Sequence, residues 1–160
     1  MTEESRHKRR PDWDTWAIGI AEAVSKRGDC TRRQVGAVLL DENHRVIGCG
    51  YNGGPSGGAS CLEGACPRGL HHLSGDSCAC GGVWPCMQAA PPGSSYDTSP
   101  GGQCIAIHAE VNALLDVSDR RRLEGSTLYI TTDPCLGCQK IIGNTGVARV
   151  VWPGGEWRKP

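Results

Sequence analysis

The chain has 160 residues, 38% of them hydrophobic, and its 17 basic residues balance 17 acidic ones to a formal net charge of zero. That length suits one compact domain with a modest core, and the even charge gives no sign of a nucleic-acid partner. No apolar run approaches the roughly 18 residues of a membrane span and no signal-peptide stretch opens the chain, so a soluble, cytoplasmic protein is expected.

The basic run Arg6–Arg10 reads as a solvated tail over residues 1–11. Asp12 is a candidate N-cap. Trp13, Trp16, Ala17, Ile20, Ala21 and Val24 then recur at helical spacing, which predicts a helix over 12–27 closed by Lys26, Arg27 and Gly28. Cys30 precedes a first strand over 35–40, and Arg32 and Arg33 at its entry offer planar guanidinium forks that suit a nucleotide phosphate. Asp41–His44 is a turn, and 45–51 returns as a second strand with Cys49 read as a core residue.

Residues 53–104 stand apart. They hold 12 of the 23 glycines, 6 of the 10 prolines and 6 of the 10 cysteines, with no apolar periodicity. A loop this long needs staples, and without a signal peptide its cysteines read as metal ligands rather than disulfides. Cys61 and Cys66 have ligand-like spacing. Cys78, Cys80 and Cys86, with His71 or His72, offer substitutes or a further site. Tyr96 either covers a site or anchors local packing. The chain continues as a helix over 107–118, a strand over 127–132, a helix over 135–145 and a strand over 147–152 ending at Pro153, with Trp152 and Trp157 as packing residues. Helix, strand, helix, strand after a hairpin predicts an α/β fold, a mixed sheet covered by helices with a cysteine-rich insertion.

The chemistry concentrates in His108-Ala109-Glu110 and Pro134-Cys135-Leu136-Gly137-Cys138. His108, Cys135 and Cys138 offer an imidazole and two thiolates. Zinc held by three such ligands keeps one position for water and acidifies it, and Glu110 is placed to shuttle the proton. Cys135 and Cys138, three apart, can reach one ion from the first turn of a helix that Pro134 precedes. His108 and Glu110 are two apart, so they converge only where a helix begins. The bland alternative is a structural Cys-x-x-Cys knuckle, which leaves Glu110 without a purpose. H-x-E…P-C-x-x-C is the signature of zinc deaminases that act on bases.

Four segments in order, Thr31–Val38, Gly50–Gly57, His108–Ala113 and Pro134–Cys138, resemble the deoxycytidylate (dCMP) deaminase branch of the zinc-dependent cytidine deaminase superfamily. The resemblance runs from about Trp13 to Trp152. It implies a three-layer sandwich with a five-stranded mixed sheet between helices. It implies that Asn52 hydrogen-bonds the sugar, that the Ala109 N–H meets the pyrimidine O2, and that the Thr132 carbonyl meets the exocyclic amine. It also implies a second, structural zinc, here assigned to Cys30, Cys61, Cys66 and Cys104. A homo-oligomer, with a hexamer favoured, and dCTP and dTTP as effectors belong to the same expectation. With eight residues after Trp152, the last strand or helix of longer relatives is expected to be missing.

The expected function is zinc-dependent hydrolytic deamination of dCMP to dUMP. The alternatives are another cytosine substrate, such as deoxycytidine, 5-substituted dCMP or a tRNA base, and a zinc-stapled binding module without catalysis. A tRNA deaminase would carry a basic surface that this neutral chain does not advertise.

Overall fold

The computed structural model describes residues 10–91, 93–96 and 103–160. The tail expected over 1–11 lies outside the described residues except for Arg10 and Pro11. Helix α1 spans Trp13–Ser25, and the Asp12 carboxylate caps it by accepting the Thr15 N–H at 2.7 Å. Strands β1 (Gly36–Leu40) and β2 (Val46–Tyr51) form the hairpin. The insertion contributes a single turn of helix, α2 (Pro67–Leu70), and two short strands, β3 (Leu73–Ser74) and β4 (Ser77–Cys78). Then follow α3 (Ala109–Asp116), β5 (Thr127–Ile130), α4 (Leu136–Gly143), β6 (Arg149–Trp152) and β7 (Gly155–Arg158).

The main sheet runs β2-β1-β5-β6-β7, with β5 and β6 parallel and the other pairs antiparallel. The crossover from β5 to β6 is α4, as a parallel pair requires. β1 is buried along its whole length, and alternation sends its side chains to two cores. Val38 and Leu40 pack with Ala17, Ala21 and Tyr129 under α1. Ala37 and Leu39 pack with Ala113, Leu128 and Ile142 under α3 and α4. The result is the expected three-layer sandwich.

Glycine sets how closely the layers approach. A Cβ on Gly50 would collide with the backbone of Ala109, Asn112 and Ala113, so α3 begins directly on β2. On the opposite face Asp14 ties α1 to the sheet. It accepts two hydrogen bonds from Arg149, at 2.8 and 2.7 Å, and one from the Tyr129 hydroxyl at 2.9 Å.

Two expectations need correction. The chain does form a further strand after Trp152. Pro153 and Gly154, the latter at φ 94°, turn the chain so that Trp152 pairs with Gly155 and β7 closes the sheet edge. Cys49 is exposed, not core: β2 is the other edge strand, and Val46, Cys49 and Tyr51 lie on its open side.

Candidate active site

The site is built where α3 and α4 begin, beside the end of β5. His108 is the N-cap of α3, with extended φ −72° and ψ 151°, and Glu110 sits in the first helical turn. That break in helical geometry lets residues two apart turn toward one point. Cys135 is likewise the extended N-cap of α4, and its thiol accepts the Cys138 N–H at 3.5 Å. His108 Nδ1 stands 3.5 Å from Cys135 Sγ and 3.3 Å from Cys138 Sγ.

A tetrahedral zinc with Zn–S near 2.3 Å and Zn–N near 2.0–2.1 Å requires N···S edges of about 3.6 Å. The two observed edges are within a few tenths of an ångström of that value. Burial, then the neighbouring Glu110 carboxylate, pushes the Cys138 thiol well above its ordinary range. A buried thiol against a carboxylate is a poor arrangement for a free thiolate and a good one once a dication is shared between them. The residues therefore fit zinc. Glu110 is only 3% exposed, and burial above all holds its carboxyl above the ordinary value. Burial of this kind makes the carboxylate a stronger proton acceptor than one in water.

These residues open on a cavity of about 410 Å³. Arg32, Arg33, Asn52, Ala109 and Thr132, all singled out from sequence, line it with His108, Glu110 and Cys135. Asn52 does more than face the cavity. Its Nδ2 donates to the Arg33 carbonyl at 2.7 Å, and its Oδ1 accepts the Val35 N–H at 2.8 Å. One amide hydrogen and one lone pair remain for a sugar hydroxyl. Arg33 donates to Thr132 Oγ1 at 3.2 Å. Among the described residues neither Arg32 nor Arg33 joins an ion pair, and Thr132 Oγ1, which accepts from Arg33, donates in turn to Asp133 at 3.1 Å. Tyr96 packs edge-on to His108, ring centroids 5.2 Å apart, and is itself covered by the buried Arg68 guanidinium at 4.7 Å. It is thus both a cover for the site and a packing anchor. His72 and Asp133 also line the cavity; sequence reasoning offers His72 only as an alternative metal ligand and does not single out Asp133. His72 is masked by its pairing with His71, and only the adjacency of Asp133 to Thr132 hints at it.

The remaining cysteines fall into two groups. Cys66 interacts with Cys61 and with Cys104, and Cys30 is near enough to act electrostatically on both. Burial first, then Cys66, pushes Cys61 up to about 12. These four are not drawn within 4.8 Å of one another as the His108 set is. Cys30 and Cys104 also stand in the cavity wall. The second group is tight: His71, Cys78, Cys80 and Cys86 bring their ligand atoms within 4.8 Å of one another.

Comparison with known proteins agrees with this geometry. The family model of the cytidine and deoxycytidylate deaminase zinc-binding region matches residues 11–153. The deoxycytidylate deaminase of Mycobacterium phage D29 is 45% identical over 144 residues, covering 90% of this chain and 96% of that protein. That of Schizosaccharomyces pombe is 38% identical over 143 residues, covering 89% of this chain but 37% of the yeast protein. Among solved structures, the dCMP deaminase of cyanophage S-TIM5 in complex with dCMP and dUMP superimposes with a TM-score of 0.57 at 26% identity, over 90% of this chain and 82% of that one. A zinc-binding motif on the starts of α3 and α4, in this sheet order and matched over nearly its whole length, places the chain in the cytidine and deoxycytidylate deaminase family.

Proposed function

We propose that the chain hydrolyses dCMP to dUMP and ammonia. The observation that carries this is one cavity lined by His108 and Cys135 of the metal-ligand trio, the buried Glu110 and two arginines free of ion pairs among the described residues. Zinc bound to the trio would supply the Lewis acidity that makes water a nucleophile near neutral pH. Glu110 accepts the proton of the attacking water, then returns protons to N3 and to the departing amine, so that water adds at C4, the C4–N bond breaks and ammonia leaves. The Ala109 N–H and the Thr132 carbonyl hold the two edges of the pyrimidine, Asn52 holds the sugar, and Arg32 and Arg33 hold the phosphate. The D29 enzyme's name and the dCMP–dUMP complex of the cyanophage enzyme support the substrate.

The finer expectations travel with this reading. Cys30, Cys61, Cys66 and Cys104 hold a structural zinc, supported by the Cys66 contacts to Cys61 and Cys104. The chain is one domain and works in the cytoplasm as a homo-oligomer, a hexamer favoured, answering to dCTP and dTTP. Among the described residues no helix is long and apolar enough to cross a membrane.

The test is a comparison of dCMP with deoxycytidine. A site with two cations for a phosphate is left with them unmatched when the phosphate is missing. kcat/KM should favour dCMP by at least about 100-fold, and equal values would move the chain to nucleoside substrates.

A further inference from the structure

The insertion lacks the ordinary means of holding a fold together. From 71 through 91, Cys78 is the only buried residue. Its apolar neighbours face solvent: Leu73 is 51% exposed, Val83 88% and Met87 98%. β3 and β4 are two residues each. A segment this poor in buried apolar area is ordered by crosslinks or by metal. Among the described residues the cysteines are free thiols.

What occupies the middle of the segment is a set of donors. His71 comes from the end of α2, Cys78 from β4, Cys80 from the turn that follows, and Cys86 from the returning chain. His71 Nδ1 lies 3.7 Å from Cys86 Sγ, again close to the N···S edge of about 3.6 Å required by tetrahedral zinc. The turn is shaped for thiolates. The Cys78 N–H bonds the Gly82 carbonyl at 3.0 Å, and Ser77 bridges Val83. Gly81 takes φ 87°, a conformation that favours glycine and swings the next peptide back. The turn brings Gly82 against the Cys80 sulfur, which would stand 3.4 Å from a Cβ at that position. His72, the alternative histidine, is turned away, with Nδ1 2.6 Å from the Gly69 carbonyl.

The cysteine count closes on the same answer. Cys135 and Cys138 serve the catalytic centre, and Cys30, Cys61, Cys66 and Cys104 gather elsewhere. With Cys49 alone on the sheet edge, the three that remain need one further ligand to fill a tetrahedron, and His71 supplies it.

We propose that His71, Cys78, Cys80 and Cys86 form a separate structural zinc site, closed to substrate, that orders the insertion. Its effect on the enzyme is positional: the same segment carries His72 into the wall of the catalytic cavity. Three donor sets then serve three ions in one chain.

The experiment counts zinc against protein in the full chain purified under reducing conditions, by plasma mass spectrometry. Cys80 is exposed, so Cys80→Ser removes a ligand without emptying a core position. Cys80→Ser, Cys86→Ser and His71→Ala should each lower the content by about one zinc per chain, whereas Cys49→Ser should leave it unchanged. His71→Cys, which keeps four ligands, should retain the ion. The losses caused by Cys61→Ser and Cys80→Ser should add in the double variant. Full zinc content in both Cys80→Ser and Cys86→Ser would overturn the site. So would a double variant that loses one zinc when each single also loses one, because one ion would then be shared between the two thiol groups.

Discussion

Arg32 and Arg33 line the cavity without an ion-pair partner among the described residues, while Asn52 is bound on both sides to backbone. The two kinds of residue should therefore fail differently. Arg33→Ala removes a phosphate contact and should raise KM for dCMP about tenfold or more with little change in kcat, the sign of lost uniform binding. Its effect on deoxycytidine should be small, and steady-state kinetics on both substrates checks this. Asn52→Ala instead leaves the buried Val35 N–H unpaired and should cost about 1–3 kcal/mol of stability as well as activity. Asn52→Asp keeps that acceptor and should recover part of the stability in a denaturant melt. The residues that chemistry demands are legible in sequence because ligand spacing and proton-transfer geometry leave few choices. His72 and Asp133 are not, because only folding of the insertion and the end of β5 brings them to the cavity.

At the scale of elements, the active site depends on how tightly α3 lies on β2. Gly50→Ala introduces a methyl group where the α3 backbone already stands. Overpacking of this kind costs about 1–3 kcal/mol and should displace His108 and Glu110, lowering kcat together with Tm. Gly19, inside α1, is the contrast, because a methyl group there would meet nothing within 4 Å. Gly19→Ala should stabilise by about 0.5–1 kcal/mol and leave kcat unchanged. α1, the hairpin, α3 and α4 can be read from periodicity because each buries one face. β7 cannot, because four residues, Gly155–Arg158, carry too little pattern, although Pro153-Gly154 marks the turn that creates it. The core expectation for Cys49 fails because sequence alone does not say that β2 is an edge strand. The insertion is legible only as a segment in need of staples. Which thiols pair with which histidine is decided by the Cys78–Gly82 turn, a tertiary detail.

Across the whole molecule, Asp14 joins α1 to β5 and β6 through Tyr129 and Arg149, and Arg149 continues to Glu156 on β7 at 2.7 Å. The Arg149 hydrogen bonds, opposed by partial burial and aided by the Tyr129 hydroxyl, hold the Asp14 carboxyl below its ordinary 3.8. The charged form is thus favoured by folding. Its contribution is present above the unfolded value and is lost as pH falls through the lower folded value. Asp14→Asn should lose about 1 kcal/mol near neutral pH, since the pair is partly screened by solvent. The deficit should shrink toward zero as pH falls below the ordinary carboxylate value and through the lower folded one, and a gap in Tm that stays constant into acid would assign it to packing instead. The central claim concerns the other end of the sheet, where the trio and Glu110 act as one centre for deamination of dCMP. The most direct measurement is turnover of dCMP by Glu110→Gln at matched zinc content. Glutamine keeps the shape of the side chain but cannot accept the water's proton, so kcat should fall by about 10²–10⁴-fold or more with zinc retained. A variant that holds its zinc and works within tenfold of the parent would contradict the account.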